Sequence, residues 1–194
     1  MAVLPLEQFV FPAELFSSSE SVSESVEVDG GEEPRWWVLQ TRSRGEKSLA
    51  RRLLQSGVSF FLPLHERRKR IQRRLVRSHL PLFPGYLFFR GSEESRREAL
   101  ETNLVVNCLH VEEQHRFAND MARIFELVTS GAALSPEERL TPGMAAEITS
   151  GPLAGRRGKI LRCGHGRTLK FVVAVDFLQQ GVSVEVDDSM IRAV

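Results

Sequence analysis

The sequence predicts an α+β protein in two parts, an N-terminal antiparallel sheet with flanking helices followed by a small β-barrel. Three observations predict it. Between residues 36 and 128, short apolar runs rich in β-branched and aromatic residues alternate with segments whose apolar residues recur at helical spacing. The stretch 129–143, TSGAALSPEERLTPG, is small, polar and broken by two prolines, which marks a connection between domains. Beyond it only strand-like runs separated by glycine-rich turns remain, the pattern of a small all-β domain.

Residues 1–34 hold eight acidic side chains and no lysine or arginine. The Ser- and Glu-rich part, SSSESVSESVEVDGGEEP, has too few large apolar groups to offset the entropy of ordering, so 1–34 reads as a disordered acidic tail. Its opening apolar patch has no docking place that the sequence identifies.

The first domain spans 35–130. WWVLQT is its first strand. Ser43 and Glu46 have the spacing of a capping box, Leu49, Ala50, Leu53 and Leu54 form the apolar stripe behind it, and Gly57 stops the helix. VSFFLPL, 58–64, is a second strand leading into a basic run, and LPLFPGYLFFR, 80–90, is a third leading out, which makes the basic run the tip of a long hairpin. Ser92 caps a short helix with Glu93 and Glu94 in its first turn. Leu104 to Val111 is a fourth strand, and Phe117, Met121, Ile124, Phe125 and Val128 line one face of a third helix. The linker is 131–142, and 143–194 is the all-β domain, with strands at 146–149, 159–162, 169–175 and 182–186.

The third strand raises a question, because LPLFPGYLFF has no charged residue where a half-exposed strand would alternate. Two arrangements answer it. Either the protein's own helices cover both faces, or Phe83 and Tyr86, beside the turn made by Pro84 and Gly85, stay partly open for a partner.

The net charge of +1 hides a segregation. In HERRKRIQRRLVRSH, 65–79, the cations Arg67, Arg68, Lys69, Arg70, Arg73, Arg74 and Arg77 face a single acid, Glu66. Such a run points to a polyanion as partner. No series of aromatics is interleaved with it, so base stacking is not indicated.

Taken together, WWVLQT, FPGYLFF behind a basic hairpin, and ITSGPLAGRRGKILR resemble the NusG family of bacterial transcription elongation factors over about residues 35–194. The last of the three is similar to that family's KOW motif, which implies an SH3-like barrel. The resemblance implies a transcription elongation or antitermination factor that binds the clamp helices of the largest RNA polymerase subunit and suppresses pausing or termination. Phe83, Pro84, Gly85 and Tyr86 match the family's polymerase-facing F-P-G-Y. The arginine hairpin would lie against the DNA backbone near the polymerase. Gly151, Pro152, Leu153, Gly155 and Gly158 of the KOW motif would serve a second partner, a small-subunit ribosomal protein or Rho, with Leu153 at an exposed loop tip. The acidic tail and basic hairpin suggest a specialised RfaH-like or UpxY-like paralogue. Ribosomal and RNA-binding proteins also carry KOW motifs, and that is the alternative reading; FPGYLFF favours the polymerase.

Several chemistries are not indicated. The sequence has no phosphate-binding loop, nucleophile elbow or His-Glu-x-x-His motif, so no catalytic residue and no cofactor is expected. Cys108-Leu109-His110 and Cys163-Gly164-His165 are two C-x-H pairs whose spacing departs from common zinc signatures, so no metal is expected. No apolar run reaches membrane-spanning length, and MAVLPLEQFVFPAELF has no basic residue ahead of its apolar stretch. With two cysteines, these features predict a cytoplasmic, monomeric protein.

Overall fold

The computed structural model describes residues 8–16, 33–71, 74–137, 143–162 and 168–193. In chain order its elements begin with β1 (Val10–Phe11), β2 (Arg35–Thr41), α1 (Glu46–Gln55), β3 (Ser59–Phe61), β4 (Leu64–Ile71) and β5 (Arg74–Pro81). They continue with β6 (Tyr86–Gly91), α2 (Glu93–Glu101), β7 (Val105–His110), α3 (Gln114–Thr129) and β8 (Leu134–Glu137). The C-terminal strands are β9 (Met144–Ile148), β10 (Arg157–Arg162), β11 (Thr168–Val175), β12 (Gln180–Asp187) and β13 (Ile191–Ala193).

The N-terminal sheet has the order β1-β3-β6-β2-β7, with every pairing antiparallel. Helices cover both of its faces. On one, Leu39, Phe60, Leu87 and Phe89 pack with Leu49, Ala50 and Leu53 of α1 and Ala99 of α2. On the other, Trp36, Val38, Phe61 and Phe88 pack with Phe117, Met121, Ile124 and Leu127 of α3. Because side chains alternate along a strand, Leu87 and Phe89 serve one core while Phe88 serves the other. Each such ring or leucine buried contributes about 1.5–3 kcal/mol. The unbroken apolar run of β6 is thus explained by the first of the two arrangements, a strand covered on both sides by the chain's own helices.

Three expectations change. LPLFPGYLFFR is not one strand: β5 ends at Pro81 and β6 begins at Tyr86 in a different sheet, because the turn between them redirects the chain. The N-terminal patch is not part of a disordered tail. Val10 and Phe11 pair with Phe61 and Phe60 as an edge strand, and Phe16 stacks on Trp36 and Phe125 with ring centroids 6.0 and 4.8 Å away. Those rings supply the buried area that the following Ser/Glu stretch lacks; residues 17–32 lie outside the described residues. The start of the linker is also ordered, since β8 pairs with β12, Leu134 opposite Val184. Residues 138–142 lie outside the description.

Among its described residues the C-terminal part is all-β, as expected, apart from two short 3-10 turns, in a six-stranded antiparallel sheet of order β13-β9-β10-β11-β12-β8. Phe171, Val173, Val175, Val182 and Val184 form its core, which runs on into the α3 side of the N-terminal domain. Phe177 meets Phe117 of α3 edge-on at 5.7 Å, and Arg156 pairs with Glu126 of α3 at 2.8 Å.

Candidate functional site

The F-P-G-Y segment forms a hydrogen-bonded turn, the Tyr86 N–H donating to the Phe83 carbonyl at 3.1 Å. Proline at its second position sets φ for the turn, and Gly85 at its third has φ +85°, the left-handed value a type II turn requires there. Two neighbours pin it. The Gly85 carbonyl accepts from the Thr41 N–H at 2.8 Å, and the Gly85 N–H donates to the Glu46 carboxylate at 2.7 Å. Glu46 is buried. The expected capping box is therefore absent: Gly45 occupies the N-cap of α1 without a side-chain bond, because the Glu46 carboxylate is spent on the turn.

That geometry divides the four residues. Phe83 is 1% exposed and meets Phe88 edge-on at 5.5 Å, so it belongs to the core and is not open to a partner as expected. Tyr86 is half-buried and Pro84 is exposed. Sequence pattern could not separate the two rings, because both sit beside the same turn.

The basic run, expected at the tip of a long hairpin, forms the paired strands of that hairpin themselves, a two-stranded ribbon of β4 against β5. Glu66 pairs with His79, Arg68 with Arg77, Lys69 with Val76 and Ile71 with Arg74 across it. Directly opposed residues share a face. One face therefore carries Glu66, Arg68, Arg70 and Arg77, and the other Arg67; the side chains of Lys69 and Arg74 lie outside the description. Arg68 and Arg77 both approach Glu66, at 2.6 and 3.8 Å, and these guanidiniums hold its carboxyl below the usual range. The second face has no acid among the described residues. Arg73 lies outside them. His65, at the ribbon base, is held below its ordinary value by burial and by Arg67, while a hydrogen bond with the Leu134 backbone opposes that shift.

In the C-terminal loop, Gly151 and Gly155 have φ of +84° and +82°. A Cβ on Gly158 would stand 2.6 Å from the Val172 carbonyl oxygen, so that position requires a bare backbone. Pro152 is exposed. Leu153 is 6% exposed and faces the core, so it is not the apolar loop tip expected of it. Among the described residues of this part, the large apolar side chains that are exposed are Met144, Phe177 and Met190, outside 151–158. Among the described residues no group of three or more His, Cys, Asp or Glu is placed to hold a metal. Cys108 is a half-buried thiol pushed up by burial; Cys163 and His165 lie outside the description. No described helix is long and apolar enough to cross a membrane.

Comparison with known proteins adds the rest. The family model described as NusG, transcription termination factor nusG, matches residues 34–125. A structure titled "Domain interaction in Thermotoga maritima NusG" is 20% identical, covering 84% of this chain and 98% of that one, with a TM-score of 0.50. A second, the MjSpt4:Spt5 complex in conformation B, is 14% identical over 82% of this chain and 96% of that one, with a TM-score of 0.24. No curated protein matches. The matched segment begins one residue ahead of β2, holds the pinned F-P-G-Y turn and the basic ribbon, and ends within α3, so residues 34–125 of this chain form a domain similar to that of the NusG family.

Proposed function

We propose that this protein is a transcription elongation or antitermination factor that docks on RNA polymerase through its N-terminal domain and recruits a second partner through its C-terminal β domain. It acts by binding, without a catalytic step. The observation that carries the reading is the F-P-G-Y turn inside the NusG match, fixed by Glu46 and Thr41 so that Pro84 and Tyr86 are presented on a rigid edge. Rigid presentation lowers the ordering cost of association. Phe83 supports that edge from beneath. The C-terminal part is proposed to be a KOW domain of SH3-like form, with Met144 and Met190 as its exposed apolar contacts.

The ribbon is proposed to lie along nucleic-acid phosphates, because its cations on both faces exceed the single acid between them. Binding of purified RNA polymerase tests the docking. Tyr86→Ala is expected to weaken it by about 1–4 kcal/mol while the domain stays folded. Undiminished binding by a folded Tyr86→Ala protein removes the assignment.

A further inference from the structure

At the base of the ribbon lies an open groove of about 870 Å³. The ribbon contributes Arg67 and Arg68 to it, and the start of α1 contributes Arg44 and Lys47. These two segments are more than 15 residues apart in sequence and come together only in the fold. Arg44, one residue before the N-cap Gly45, has a left-handed backbone at φ +60°. Two carboxylates also line the groove, and both are engaged: Glu46 with the Gly85 N–H, and Glu66 with Arg68 and Arg77. Among the described residues, Arg44, Lys47 and Arg67 have no carboxylate partner. The opposite wall is the chain between the domains, Ala133 to Pro136.

We propose that this groove carries a nucleic-acid backbone off the ribbon and onto Arg44 and Lys47, so that the phosphate track turns past the F-P-G-Y turn. The inference rests on the ribbon's being a phosphate contact. It extends that contact to a site on another element. Charge complementarity selects the occupant, since cations in a concave wall attract a polyanion more strongly than the same cations on a flat face. The groove lining holds no phenylalanine, tyrosine or tryptophan, and its rings are the smaller imidazoles of His65 and His79, so its cations make phosphodiesters the favoured contact. Three of the four residues of the wall at Ala133–Pro136 belong to β8, which is paired with β12, so the groove has this shape only while the C-terminal part is docked.

Salt titration of the full chain against one single-stranded and one duplex oligonucleotide of unrelated sequence tests it. The Arg44→Gln/Lys47→Gln protein is compared with wild type, with an Arg70→Gln/Arg77→Gln ribbon variant and with a charge-preserving Arg44→Lys/Lys47→Arg variant. Each loss of two phosphate contacts flattens the slope of log affinity against log salt by up to about 1.8 on duplex or about 1.4 on single strand. The expected result is flattening by the groove variant on at least one probe, with wild-type slope for the charge-preserving one. The probe that responds identifies the strand form. An unchanged slope on both probes for the groove variant, with the ribbon variant flattened, overturns the groove and leaves the ribbon reading standing. No response from either variant overturns both.

Discussion

The Glu46 carboxylate accepts a hydrogen bond from the Gly85 N–H at 2.7 Å, across 39 residues of sequence, and so ties the first turn of α1 to the turn that is the best candidate for partner docking. A fully buried donor left without its acceptor costs about 1–3 kcal/mol, and the half-buried Gly85 N–H falls toward the lower end of that range. Glu46→Ala is therefore expected to lower stability by about that amount in a denaturant titration. It also accelerates amide exchange at Gly85 and Tyr86 more than elsewhere. Glu46→Gln keeps an acceptor and recovers part of the loss.

Phe83 and Tyr86 separate under mutation. Phe83→Ala opens a cavity in the α3-side core and is expected to cost about 3–5 kcal/mol of stability. Tyr86 is half-buried, so Tyr86→Ala costs less stability. Paired unfolding and polymerase-binding measurements on both variants read this out: lost binding by the Phe83 variant should track its unfolded fraction, and lost binding by the Tyr86 variant should not.

Gly158 and Gly155 are expected to respond for different reasons. Gly158→Ala drives a Cβ into the Val172 carbonyl and the Phe171 ring, 2.6 and 2.7 Å away, and is expected to cost about 1–3 kcal/mol. Gly155→Ala meets no atom within 4 Å but is strained at φ +82°, with an expected loss of about 1 kcal/mol. Denaturation midpoints of the two single variants give the comparison, and equal losses would contradict the close approach at Gly158.

Burial depresses His65 in the folded protein, so the unfolded chain takes up a proton first as pH falls. The contribution is complete above about pH 6.5, the unfolded value. It is lost as pH drops from there toward the lower folded value. Stability measured between pH 5 and 8 is expected to decline over this window in the wild type, and less in His65→Gln. Identical pH profiles would remove His65 as the cause.

The residues that fix secondary structure act over a few positions, and these the sequence determined. WWVLQT became β2, the stripe from Leu49 to Leu54 became α1, and Ser92 caps α2 by accepting from the Ser95 N–H at 3.3 Å. The motifs that carry the family resemblance were legible for the same reason, since strand, helix and turn preferences are local. The concentration of charge in 65–79 was legible as composition, and its strand pairing was not.

What tertiary structure alone decided are the relations between distant segments. Phe83 and Leu153 both read as apolar residues beside glycine turns, yet both face inward, because a side chain's direction there depends on the elements packed around the turn. Phe9 and Phe16 read as stray apolar residues ahead of an acidic stretch, and they found Phe61 and Phe125 as partners. Glu46 fitted a local capping pattern equally well, but the half-buried backbone N–H of Gly85 lay within reach and claimed its carboxylate. A hydrogen bond or a hydrophobic contact is chosen by proximity in space. Sequence spacing reports that proximity only within a helix turn or a strand pair, so the pinned turn and the groove at the ribbon base emerge only when the chain is folded.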